Sequence, residues 1–162
     1  MTLWNFALAL YARPGVETAC LAAQDAGADV CLLLCGAWLD GRGTRFQADC
    51  ASALRKLAGE RQANLIEPLR NARQQLREPA SREPELERLR KRIKAMELAA
   101  ERQLLEQLER VSEPFEQECA AEPDAYAAGS EWLSALAAPL TAEHPSLQLI
   151  QRQRLAVQGQ AG

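Results

Sequence analysis

This 162-residue sequence predicts an all-α fold: a compact head of short helices plus longer charged helices, arranged as a bundle or helical hairpin. Three observations predict it. Apolar residues make up 48% of the chain but aromatics only 5%, so the core is mostly Leu and Ala, with Glu, Gln and Arg outside it, and these are the strong helix formers. Apolar residues recur at three- and four-residue spacing, the period of one helix face. The one segment that reads as a possible buried strand, Val30 to Cys35, has no evident partner strand.

Each element follows from local chemistry. Thr2 can cap a first helix to about Ala12, with Leu3, Phe6, Ala7 and Leu10 on one face. Arg13-Pro14-Gly15 breaks it, and Pro14 suits the first position of a second helix, where Val16, Ala19, Cys20 and Ala23 face inward. Gly27 reads as the stop of that helix. Asp29 is placed to cap Val30 to Leu39, which is apolar on every side and therefore a buried helix at the centre of the core. Thr44 and Gln47 match a capping box for a fourth helix carrying Phe46, Cys50, Ala53, Leu54 and Leu57. A fifth holds Leu65, Ile66, Leu69, Ala72, Arg73 and Leu76, with Pro68 kinking or starting it. After the break at Glu78 to Pro84 comes the longest element, to about Glu113. Its stripe runs from Leu86, Leu89, Ile93 and Met96 to Ala100, Leu104, Leu108 and Val111. The spacing stays near 3.6, which is a bundle helix and not a supercoiled zipper. Ser130 and Ser146 are candidate caps of two short C-terminal helices.

One helical domain over residues 1–156 is expected. It divides into an apolar head at 1–58, long charged helices at 60–122 and short helices at 123–156, with 157–162 as a disordered tail. A net charge of −3 hides an asymmetry. Residues 45–94 carry thirteen basic and seven acidic side chains, net +6, whereas residues 95–162 carry four and eleven, net −7. No run reaches the roughly 20 apolar residues of a membrane span, and no basic residue precedes the apolar start as in a secretory signal. A cytoplasmic location is the expectation.

The candidate sites are few. Cys31 and Cys35 lie one helical turn apart, with Cys20 and Cys50 on neighbouring elements, but their Leu and Val flanks suit core thiols better than zinc ligands. His144 is the single histidine. It precedes Pro145 in a loop, with no nucleophile elbow or Gly-rich phosphate cradle anywhere in the chain. Gln24, Asp25 and Asp29 make a small polar turn, where paired carboxylates can serve acid–base chemistry or a hard cation, although Asp belongs at helix ends in any case. Arg88, Arg90, Lys91 and Arg92 form a basic cluster that opposes the helix dipole. Trp132 is the candidate exposed anchor, while Trp4 and Trp38 read as core, marking an interface if exposed.

The N-terminal pattern is distinctive: Leu3-Trp4-x-Phe6-Ala7-Leu8, Tyr11-Ala12-x-Pro14-Gly15-Val16, Cys20-Leu21, Gln24-Asp25-x-Gly27-x-Asp29-Val30, then Leu32-Leu33-Leu34 and Trp38. With Pro68-Leu69-Arg70 and Glu97-Leu98-x-x-Glu101-Arg102, it resembles a family of small all-helical proteobacterial proteins of unknown function. The resemblance is strongest over residues 3–39 and fades after Pro114. It implies a bacterial cytosolic helical protein and no particular chemistry.

The residues favour a non-enzymatic protein-interaction or adaptor module, with no cofactor and no metal, and with a protein partner or a second copy bound through Arg88, Arg90, Lys91, Arg92 and Trp132. A metal protein or small enzyme using Asp25 and Asp29, or Cys31 and Cys35, is one alternative. RNA or ribosome association through residues 55–94 is another, weakened by interleaved Glu83, Glu85 and Glu87 and by the lack of stacking aromatics.

Overall fold

The computed structural model describes residues 1–118 and 131–158. Their regular structure is entirely helical, with no strand among the described residues. The first helix, α1 (Leu3–Tyr11), is capped as its sequence indicates, with Thr2 Oγ1 accepting from the Asn5 N–H at 3.2 Å. The second, α2 (Val16–Asp25), begins two residues later than Pro14 predicts. The Val16 N–H donates to the Arg13 carbonyl at 3.2 Å, so Pro14 and Gly15 form a tight turn between the helices. Gly27, at φ +94°, ends α2 in a left-handed conformation open to glycine.

The central helix is α3 (Val30–Gly41), and every residue from Cys31 to Leu39 is buried. It packs against α1, α2 and four later helices: α4 (Ala48–Arg61), α7 (Pro84–Glu118), α8 (Glu131–Leu136) and α9 (Pro145–Gln158). A helix enclosed on all sides has no polar face to keep, and that is why its sequence shows no amphipathic stripe. Gly36 permits the closest of these approaches. A Cβ there would stand 2.8 Å from Leu133 Cα and 2.9 Å from the Trp132 carbonyl oxygen.

The capping box at Thr44 does not start a helix. The fourth helix begins at Ala48, and Gln47 instead donates from Nε2 to the Phe115 carbonyl at 3.1 Å, tying the loop to α7. Beyond Arg61 the chain widens into a single π-helical turn, Gln62–Ile66, before continuing as α5 (Glu67–Gln75). Pro68 explains the widening. It has no N–H for the carbonyl of Asn64, four residues earlier, and its ring crowds that carbonyl. The turn closes instead with an i→i+5 bond from the Glu67 N–H to the Gln62 carbonyl. A one-turn helix, α6 (Arg77–Ala80), then leads into α7.

The long helix does not project. It packs back along α1, α3, α4, α5 and α6, and Pro114 lies inside it. On the opposite side of α3, the short α8 and α9 complete the core with Trp132, Leu133, Leu136, Leu147 and Ile150. Trp132 is therefore not an exposed anchor. It is 1% exposed, its Nε1 donates to the Thr44 carbonyl at 2.8 Å, and its ring meets Phe46 edge-on at 5.0 Å between centroids. The candidate cap Ser130 and the fifth cysteine, Cys119, lie outside the described residues. α9 begins at Pro145, one residue before the candidate cap Ser146, and the Ser146 N–H donates to His144 Nδ1 at 3.3 Å. Val157, assigned above to a disordered tail, is a buried residue of α9.

Candidate functional site

Faces of α1, α5 and α7, the α2–α3 turn, Leu34 of α3 and the π turn converge on a cleft of about 590 Å³. Helical spacing accounts for each contribution. From α1 come Trp4, Ala7, Leu8 and Tyr11; from α5, Glu67, Arg70, Asn71 and Gln74; from α7, Leu98, Glu101 and Leu105. Each set follows steps of three and four, so each is a single face. The α2–α3 turn adds Gln24 and the stretch from Gly27 to Cys31, and the π turn adds Gln62.

The floor is a charged network centred on Arg70. Its Nε donates to Glu97 Oε1 at 2.9 Å and its Nη2 to Glu101 Oε1 at 2.9 Å. With the amide oxygen of Gln24 turned toward it, Arg70 also donates to Gln24 at 2.7 and 3.1 Å. Arg73, one turn further along α5, meets both oxygens of Glu97 at 2.5 and 3.2 Å. Glu97 is only 6% exposed, so these bonds are what allow a carboxylate to be buried there. Burial pushes the Glu97 carboxyl up, but hydrogen bonds from Arg73 and Arg70, with their charges, more than reverse this and hold it below the ordinary range.

Two other carboxyls of the cleft behave in the opposite sense. Burial raises Asp29 above its ordinary value, against hydrogen bonds from the Leu32 N–H, the Gln62 side chain and the Cys31 N–H. Asp29 Oδ1 accepts from those two backbone donors at 3.2 and 2.8 Å, the helix cap its sequence position indicates. Burial likewise raises Glu101, and the neighbouring charge of Glu97 adds to it, while Arg70 opposes both. The Gln62 side chain has a second notable atom: its Oε1 is shielded from solvent and accepts no hydrogen bond among the described residues.

The thiol and phenol groups that face this space are held protonated by burial. Burial holds the Cys31 thiol well above its ordinary value, and raises Tyr11 too. Cys20, hydrogen-bonded to Tyr11, is pushed up to about 11 by burial. Such thiols stay protonated and inert near neutrality. Among the described residues no group of three or more His, Cys, Asp and Glu side chains is placed to hold a metal ion.

Of the residues singled out in the sequence, Gln24 and Asp29 meet at the cleft, whereas Asp25 is exposed and outside its lining. Cys31 lines the cleft and Cys35 does not. Arg88, Lys91 and Arg92, at i, i+3 and i+4, share one exposed face of α7, whereas Arg90 is turned away from it. Arg88 pairs with Glu85 at 2.6 Å and Lys91 with Glu87 at 3.7 Å, both at the surface, and Arg90 is half-buried. Several upstream cations are engaged with protein as well. Arg55 donates to the Ala135 carbonyl, Arg61 to Gln107, and Arg70 and Arg73 to the network above.

Sequence reading passed over the roles of Arg70, Arg73, Glu97 and Glu101. The signal was present as two facing pairs, Arg at i and i+3 on one helix and Glu at i and i+4 on another. What it lacked was the knowledge that those helices pack together.

The fold and site thus define a class: an all-α protein whose central apolar helix is flanked on one side by a polar, acid-rich cleft. The chain belongs to the family described as protein of unknown function DUF2390, whose model matches residues 2–108. Every residue that lines the cleft falls within that match, and α8 and α9 lie beyond it. No curated protein and no solved structure matches the chain. Among the described residues no helix is long and apolar enough to cross a membrane.

Proposed function

We propose that this protein is a non-enzymatic interaction module of the bacterial cytosol that engages a protein partner at the cleft. One observation carries the reading: the cleft couples a fixed polar floor with an exposed apolar rim. Leu8 and Leu98 line it while remaining 52% and 54% exposed, and Tyr11 and half-buried Trp4 stand beside them. Exposed leucines around a concave polar site are what an interface anchor requires. The raised thiols argue against nucleophilic catalysis, and the free thiols of Cys20 and Cys31 suit a reducing compartment. Lys91 and Lys94 precede Leu98 by seven and four residues, so they extend the rim along one face of α7 and can steer an acidic flank of the partner.

Site-specific photo-crosslinking in cells tests this. A crosslinking residue at Leu98 should give a discrete protein adduct, and one at Leu155, equally exposed on α9, should not. Equal labelling at both positions, or none at Leu98, overturns the reading.

A further inference from the structure

Resting on that reading of the cleft, we infer that the group it receives is a single cationic side chain, a lysine or arginine of the partner with its apolar stem on Trp4 and Tyr11. Charge at the floor supports this first. Among the charged residues of the lining, Asp29, Glu67 and Glu101 stand against Arg70, while Glu97 and Arg73 pair with each other outside the lining. Of the cations beside the lining, Arg102 lies over the Trp4 ring at 5.2 Å and is paired with Glu106 at 2.8 Å, so it brings no net charge, and Lys94 and Lys91 lie one and two turns further along α7, outside the lining. The excess is negative, and it sits in a recess where a charge interacts more strongly than in open water.

Hydrogen-bond supply supports it second. Arg70 directs its Nε at Glu97, its Nη2 at Glu101 and its Nη1 at Gln24, and Glu101, which lines the cleft, keeps acceptor capacity beyond that one bond. Gln62 Oε1 is a shielded acceptor with no donor among the described residues, and such an atom gains from a rotation of its side chain toward an incoming donor. An ammonium or guanidinium group supplies both the charge and the donors. An anion or a neutral apolar group supplies neither. The aromatic walls fit the same guest, since alkyl stems pack on ring faces and cations are drawn to them.

The probes are n-pentylamine, n-butylguanidine and the neutral n-pentanol, titrated into the full chain and followed by two-dimensional NMR at Gln24, Asp29, Gln62 and Arg70. The two cations should give saturable shifts at millimolar concentration, with n-pentanol at least about tenfold weaker, a difference of about 1.4 kcal/mol. Asp29→Asn together with Glu101→Gln should weaken cation binding by a similar factor. Asn still caps α3 and Gln still accepts from Arg70, and a native-like amide spectrum confirms folding. Asp25→Asn, outside the cleft, should leave binding unchanged. Equal binding of n-pentanol, or no saturable shift with either cation, overturns the inference. The crosslinking arm keeps the two proposals apart: an adduct at Leu98 without cation binding refutes only the cationic guest. Cation binding without an adduct assigns the site to a free amine and refutes the protein partner.

Discussion

Two aspartates mark the two ends of α3, and they have opposite fates. Asp29 precedes the helix and Asp40 closes it, and burial raises both carboxyls. Each accepts from two backbone N–H groups. Asp29 takes those of Cys31 and Leu32 in its own helix, whereas Asp40 takes those of Trp132 and Leu133, more than 90 positions away in sequence, at 2.9 Å each. The difference lies in the cation. Arg154 of α9 sits 3.5 Å from Asp40, with side-chain exposures of 2% and 3%, so the pair is sealed. The arginine nearest Asp29 is Arg70, which is already committed to Glu97 and Glu101. One end of the helix is locked with balanced charge, and the other is left acid-rich and open. The same residue type thus serves cohesion at one end and recognition at the other, according to who supplies the positive charge.

That contrast can be broken at the closed end first. Asp40→Asn removes the carboxylate that pairs with buried Arg154 and that holds the α8 N–H groups, and should cost about 4 kcal/mol, the scale of a broken buried pair. A urea denaturation midpoint measures it. Gly36→Ala should come next, at about 3 kcal/mol, because the new methyl meets the backbone of α8 and not a side chain able to swing away. Loss of the Trp132 near-ultraviolet signal ahead of the far-ultraviolet one would report α8 leaving first.

At the open end the effects shrink. Arg70→Met should cost about 2 kcal/mol, since Glu97 keeps Arg73 but Glu101 loses its hydrogen-bonded cation. Asp29→Asn should shift stability by less than about 0.5 kcal/mol at pH 7, because Asn remains a good cap. Its signature is in the pH dependence. A carboxyl raised in the native state binds more protons folded than unfolded, so its contribution to stability falls as pH rises from the ordinary 3.8 through the raised native value. Asp29→Asn should remove that share of the decline in a pH series of midpoints. Glu97 runs the other way: its stabilisation is present above its ordinary value of 4.5 and is lost as pH falls through the lowered one. A variant with an unchanged pH profile would show that Asp29 is not the group titrating.

Legibility in the sequence followed the same division between local and distant partners. Asp29 as a cap, Thr2 as a cap, Gly27 as a stop and Val30–Leu39 as a buried helix all rest on chemistry within a few residues, and the structure contains each of them. Nothing within a few residues of Asp40 reveals its role, because its two donors and its cation lie in α8 and α9. Trp132 was misjudged for the matching reason: nothing near it in sequence announces the slot beside Gly36 and Thr44. The Thr44 box failed because Gln47 found a better partner in the Phe115 carbonyl. Half the candidate site, Gln24 and Asp29, was visible as a polar turn. The other half, Arg70 and Arg73 with Glu97 and Glu101, is visible in the sequence only as charge on two separate helices.

The π turn at Gln62–Ile66 sets the phase of everything after it. One additional residue per turn rotates the downstream helix by about 100° relative to an unbroken α-helix. In the observed phase, Arg70 and Arg73 point at α7 and Gln62 points at Asp29. Removing one residue from this turn would carry both arginines a quarter-turn off Glu97 while leaving every side chain of the network in the sequence. The cleft is thus specified by chain length as much as by chemistry: a single proline, by forcing the helix to take in one residue too many, decides which way the charges face.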